Sequence, residues 1–162
     1  MRKKTGPKYV VPDRTGKSLA QLAKDRVQYA FIDTEPSIDS SRIVEAGIAF
    51  CDLCLIPVRP SFFDVTSIGA VVEMCQDVDR RYAIVLVDVD DRKAWQGIIK
   101  SAAKVLRQQG TLHKARLSHN VAFINALTRG LTGGEINSAA KEETEELWGE
   151  VLAQLPKRGR HG

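Results

Sequence analysis

Three short apolar runs stand out along the chain, at Val27 to Asp33, Asp52 to Val58 and Tyr82 to Val89. Each is apolar at consecutive positions, rich in aliphatic and β-branched residues, and bounded by polar or proline-containing turns, which is the pattern of strands buried on both faces. Between and after them the apolar positions recur at helical spacing. These segments are Ser40 to Phe50, Asp64 to Val78 (Val65, Ile68, Val71, Val72, Cys75) and Arg92 to Gln109 (Trp95, Ile98, Ile99, Ala102, Val105, Leu106). The order strand, helix, strand, helix, strand, helix predicts an α/β domain, doubly wound, with a mainly parallel sheet covered by helices on both sides.

Local signals refine the boundaries. Asp64 is placed to cap the second helix, and Gly110 follows the third where a C′ residue accepts a left-handed backbone. A further short strand is expected near Ala115 to Ser118, then a short helix at Val121 to Leu127 and a long one from Glu135 to Leu155, with glycines 130, 133 and 134 forming the hinge between those helices. Trp95 and Trp148 fall on apolar helix faces and are expected in the core.

With 162 residues, 43% of them hydrophobic and 27% charged, the chain is the size of one ordinary domain and too apolar for intrinsic disorder. Its apolar runs are all far shorter than the roughly eighteen residues of a membrane span, and no hydrophobic stretch follows the basic start MRKKTGPKYVVPDR, so a cytoplasmic protein is expected. Three cysteines, Cys51, Cys54 and Cys75, are an odd and small number that fits reduced thiols. Charge is uneven: residues 1 to 26 carry eight Lys/Arg against two acids, and 156 to 162 carry three against none. The body between them is acidic, and its basic ends suit either solubility or attraction to phosphate-bearing surfaces.

Two elements carry the candidate chemistry. The first, YAFIDTEPS, ends an apolar run on Asp33. In an open parallel sheet ligands bind at the carboxyl ends of strands, so Asp33 is either a water-mediated magnesium ligand or a helix cap. The second lies in AFCDLCLIPVRPSFFDVTSIGAVVEM, beginning with Cys51 eighteen residues after Asp33, and has Asp52, Ile56, Pro57, Val58, Pro60, Ser61 and Asp64 in its pattern. Together they resemble the stretch from Walker B through the next strand and loop of the ParA/MinD family of partition ATPases. The resemblance extends through VLVDVDDR at 85 to 92, SHNVAFINALTRGLTGGEI and the closing AAKEETEELWGEV, about Val27 to Leu155.

That resemblance implies a P-loop NTPase-like fold, ATP or ADP with magnesium as cofactors, Asp33 ordering the magnesium ion through water, and Thr34 to Asp39 as the segment that senses the γ-phosphate. It also implies a loop from Arg59 to Asp64 at the same sheet edge. Asp88 stands where the family usually has Asn or Thr near the nucleotide base; it can accept from an exocyclic amine but not donate. The implied partners are a second copy or an intact ParA chain, a ParB-like centromere-binding protein, and non-specific DNA reached through Lys157, Arg158 and Arg160. The family's phosphate-binding loop, Lys-Gly-Gly-x-Gly-Lys-Thr, belongs several tens of residues before Walker B, and the 32 residues preceding Asp33 do not contain it. Thr15-Gly16-Lys17-Ser18 ends like such a loop, but Val11 stands where it needs glycine, so a linker with Ser18 as a helix cap is expected.

The expected layout is a basic segment at 1 to 26, a ParA-like domain at 27 to 155 and a basic tail at 156 to 162. The expected function is plasmid or chromosome partition by nucleotide-dependent dimerisation and DNA association. The alternatives are a degenerate, non-catalytic ParA-like module that regulates an intact copy, or a piece of an intact ATPase. Other chemistries find less support. Cys51-x-x-Cys54 runs from a helix into a strand, which suits packing rather than a redox pair; His113 and His119 have no companions at metal spacing; and no Gly-x-Ser-x-Gly elbow occurs.

Overall fold

A computed structural model describes residues 27–34 and 41–156, with side chains of the latter stretch from residue 44 onward. The chain divides into two units, Met1–Asp33 and Thr34–Gly162. Of the first, the described residues 27–33 form no strand, contrary to expectation, and Phe31 is 80% exposed. An apolar run supplies β-propensity, but a strand exists only where a neighbour takes its backbone hydrogen bonds.

The second unit is an α/β arrangement. Its elements are α1 (Ser41–Phe50), β1 (Cys54–Val58), α2 (Phe62–Ser67), α3 (Gly69–Asp77), β2 (Tyr82–Leu86), α4 (Gln96–Gln109), α5 (Val121–Leu127), α6 (Gly133–Ile136) and α7 (Ser138–Gln154). The two strands pair in parallel, Cys54 against Tyr82 through Val58 against Leu86. β2 is buried from Ala83 to Leu86, as its unbroken apolar sequence requires, whereas β1 exposes Pro57, a residue with no N–H to give a further neighbour. Ile56, Val58, Ile84, Leu86, Ile99 and Leu106 lie in the main cluster of the core.

Several boundaries differ from the sequence reading. The predicted single helix from Asp64 is two, broken at Ile68, and its cap is Ser61, whose Oγ accepts from the Asp64 N–H at 3.2 Å. Asp64 is instead drawn to Arg59. Gly110 is extended, with φ 166°, so no left-handed turn calls for it there; a Cβ would lie 2.4 Å from the Tyr82 ring, and that close approach is what requires glycine. The left-handed joint between the last helices is Gly130, with φ 63°. Trp95 is 41% exposed rather than in the core, because it sits in a 3₁₀ turn before α4 rather than on that helix's buried stripe.

The stretch expected as a strand near 115–118 runs beside β2 but is paired only in part. Ile84 N–H donates to Thr111 O (2.8 Å), His113 N–H to Ile84 O (2.9 Å), and Leu117 N–H to Leu86 O (3.0 Å). Ile84 O and Leu86 O stand two residues apart but accept from His113 and Leu117, four apart, so two extra residues bulge out between the bridges Ile84 to Leu112 and Val89 to Ser118. Helix α7 takes N–H groups that this segment does not give to β2. Glu150 Oε1 accepts from Ala115 N–H (2.9 Å), its Oε2 accepts from Lys114 N–H (3.0 Å), and Glu143 Oε2 accepts from Ser118 N–H (2.8 Å).

The spacing fits. Glu143 meets Ser118 and Glu150, two helical turns on, meets Ala115, so α7 runs antiparallel to this segment and supplies acceptors along the side that faces away from β2. The same carboxylate reaches the buried His113, with Nδ1 2.6 Å from Glu150 Oε2; a carboxylate that accepts two N–H groups accepts here as well, so Nδ1 donates. Burial raises the Glu150 carboxyl's hold on its proton, but the donors on Ala115, His113 and Lys114 outweigh it and keep the group below its ordinary 4.5.

Candidate functional site

The carboxyl ends of β1, β2 and the partly paired segment at 112–118 bring charged residues to one edge. Beyond β1, Arg59 folds back on Asp64 in a forked pair, Nε to Oδ2 at 2.7 Å and Nη2 to Oδ1 at 3.3 Å. The hydrogen bonds from Arg59 hold Asp64 below the usual carboxylate range. Beyond β2, Val87 N–H still donates to Val58 O at 3.0 Å, and the chain then turns at Asp88 with φ 56°. This left-handed backbone is one that aspartate tolerates better than most residues, and such conformations cluster at sites where a side chain must be aimed.

The turn sends the Asp88 carboxylate to His119, with Nδ1 donating to Oδ1 at 2.5 Å. Hydrogen bonds from His119 N–H to Val89 O (2.8 Å) and from Val89 N–H to Leu117 O (3.1 Å) fix the two residues side by side. The charge of Asp88 also adds to the proton affinity of Arg59, after the larger contribution from Asp64, which places the ends of both strands within one electrostatic neighbourhood. Next along the chain Arg92 clasps Asp90, whose carboxyl it holds low, and Arg116 Nη2 reaches Asp91 Oδ1 at 2.7 Å.

An open cleft of about 460 Å³ is lined by Val89, Asp90, Asp91, Arg92, Ser118 and His119. It lies beside the carboxyl end of β2, where open parallel sheets place ligands. A second cleft, of about 440 Å³, lies at the opposite end of β2 between Arg80, Arg81, Tyr82, Gly110, Thr111, Ala153 and Gln154. What the first cleft offers a ligand is an imidazole whose Nδ1 is committed and whose Nε2 has no hydrogen-bond partner among the described residues, beside guanidinium and carboxylate groups already paired with one another.

Of the residues singled out in the sequence, Asp88 belongs to this edge. Asp33 and Thr34 are exposed and in no regular element, and Glu35 to Asp39 lie outside the described residues, as do Lys157, Arg158 and Arg160 and the fragment at Thr15 to Ser18. Among the described residues no group of three His, Cys, Asp or Glu side chains stands close enough to hold a metal ion. His119 was the residue missed, and only its place at the end of the chain neighbouring β2 points to Asp88, 31 residues away.

The cysteines are free thiols, with Cys75 buried and Cys51 and Cys54 half-buried. Burial, with Cys75 alongside, pushes the Cys54 thiol up to about 12, which makes it a poor nucleophile and agrees with a packing role. Among the described residues no helix is long and apolar enough to cross a membrane. No family model and no curated protein matches the chain.

Proposed function

We propose that the chain is a ParA-like protein of the partition type working as a non-hydrolytic binding module. In this reading its fold is the doubly wound, P-loop NTPase-like one. It holds a nucleotide at the carboxyl edge of the sheet, with Asp88 accepting from the base and His119 and Arg92 toward the phosphates, and associates with DNA and with a second ParA-like chain without turning ATP over. The observation that carries this is a contrast. The Asp88–His119 pair is built, aimed and adjacent to a cleft, whereas Asp33, the acid that magnesium-dependent hydrolysis would need, is exposed and off any strand. When bound, a nucleotide would bring its own phosphates as the ligand's charge. The chain's residues supply an acceptor at Asp88, a ring nitrogen at His119 and the guanidinium of Arg92.

Phosphate release from magnesium-ATP tests this reading, with and without duplex DNA. The full chain is expected to release phosphate no faster than buffer, and the same as Asp33→Ala. Turnover by the wild type that Asp33→Ala abolishes would overturn the proposal in favour of an active ATPase.

A further inference from the structure

The cleft of about 440 Å³ at the amino end of β2 plays no part in the reading above. It opens where α4 and α7 end, and the last carbonyl of each helix already has a donor. Tyr82 Oη donates to Gln109 O at 2.7 Å, and Arg81 Nη1 to Gln154 O at 3.1 Å. The turn out of α3 closes that helix as well: Arg80 N–H donates to Cys75 O at 2.8 Å and Asp79 N–H to Gln76 O at 3.0 Å, around a left-handed Asp79 with φ 50°. Glycine is the usual residue at that position of a helix end. Aspartate holds it here, and the turn delivers Arg80 and Arg81 in succession to the cleft. Helix capping accounts for Arg81. Arg80, by contrast, makes no side-chain hydrogen bond or ion pair among the described residues, and the Thr111 hydroxyl has no partner there either.

We infer that this cleft binds a small organic phosphate monoester, its phosphate held by Arg80, Arg81 and Thr111 and its organic group lying along Tyr82 and Ala153. Among the described residues that line the cleft none is Asp or Glu, so the donors left over face no competing acceptor and a cation finds no ligand. A guanidinium presents parallel N–H groups that match two phosphate oxygens, a geometry a point charge lacks. Two such groups answer a phosphate monoester, which carries close to two negative charges at neutral pH, better than a carboxylate or a sulfate ester, which carries one. The wall for the organic group is the Tyr82 ring. It lies so close to the backbone of Gly110 that a Cβ there would stand 2.4 Å from it, and its hydroxyl is engaged by Gln109 O and by Gln76 Nε2, which fixes the ring in place. The volume lies within the range of small-molecule sites.

The inference goes beyond the nucleotide reading and uses none of the residues at the carboxyl edge. Its test is a titration of the isotope-labelled full chain with phenyl phosphate, followed by NMR. Signals of Arg80, Gly110 and Thr111 are expected to shift together and to saturate. Arg80→Gln is expected to bind roughly tenfold more weakly, with its melting temperature close to that of the wild type because Arg80 holds nothing in the fold. His119→Ala is expected to bind like the wild type, and phenyl sulfate and inorganic phosphate to bind several times more weakly than phenyl phosphate. Four results would overturn the inference. They are an Arg80→Gln variant that binds as well as the wild type, loss of binding in His119→Ala, equal affinity for inorganic phosphate, and no saturation by about 10 mM phenyl phosphate. Loss in His119→Ala would move the phosphate to the other cleft, and equal affinity for inorganic phosphate would leave an ion site with no place for an organic group.

Discussion

Glu150→Ala is expected to destabilise the protein by roughly 2–4 kcal/mol, a fall in Tm of about 5–15 °C. The change removes an acceptor from three donors at once, the N–H groups of Lys114 and Ala115 and the Nδ1–H of His113, whose side chain is fully buried. Hydrogen bonds to a charged acceptor contribute more than neutral ones, and the donors left behind carry a desolvation cost. Glu150 itself is 28% exposed, so water replaces part of what is lost and the effect falls below that of a dry pair. Glu150→Gln, which keeps one carbonyl oxygen, is expected to lose about half as much. Glu143→Ala, which removes a single bond, is expected to lose less again.

The Glu150 clamp also predicts a dependence on pH, with a definite sign. Its carboxyl is held below the ordinary 4.5 in the folded chain, so the unfolded chain binds the proton first. The stabilisation is therefore complete above that ordinary value and fades as pH falls through the folded one. Thermal unfolding of wild type and Glu150→Ala at a series of pH values should show a constant gap near neutrality that narrows below about pH 4.5. A gap that holds its full size down to pH 3 would mean that the carboxylate's charge contributes nothing there.

Ile84→Ala is expected to cost about 3–5 kcal/mol, measured as the shift in urea midpoint at constant slope. Ile84 has no exposed surface, stands at the centre of β2 opposite Ile56, and belongs to the residue whose backbone ties Thr111 and His113 to the strand. Neighbours held by backbone pairing on two sides cannot collapse into the space, which puts the substitution towards the costly end of its class. Ile98→Ala is the control: it is 47% exposed on α4, and its effect should stay near 0.5 kcal/mol. Equal losses at the two positions would contradict the placement of the core.

β2 was legible in the sequence because four consecutive apolar residues, Ala83 to Leu86, admit little but a strand covered on both faces. α4 was legible because its buried positions, Ile99, Ala102, Ala103 and Leu106, recur at helical spacing. The run Val27 to Asp33 has the same local grammar and forms no strand, since composition states a preference and cannot supply the neighbour that satisfies it. The bulge at 113–117 was hidden for the converse reason. Its N–H partners are side chains of Glu143 and Glu150, 25 to 36 residues further on, and no local pattern announces them. The Asp88–His119 pair likewise joins residues that only the parallel arrangement makes neighbours, and the left-handed turn that aims Asp88 falls on a residue type that does not advertise it as glycine would.

Calorimetric titration of the full chain with ATP, with and without magnesium, bears most directly on the proposed function. The account predicts binding that persists when magnesium is removed, is unchanged in Asp33→Ala, and is lost in Asp88→Ala and His119→Ala. Tight binding that requires magnesium and disappears in Asp33→Ala would contradict it, and so would a wild-type chain that gives no heat of binding at all.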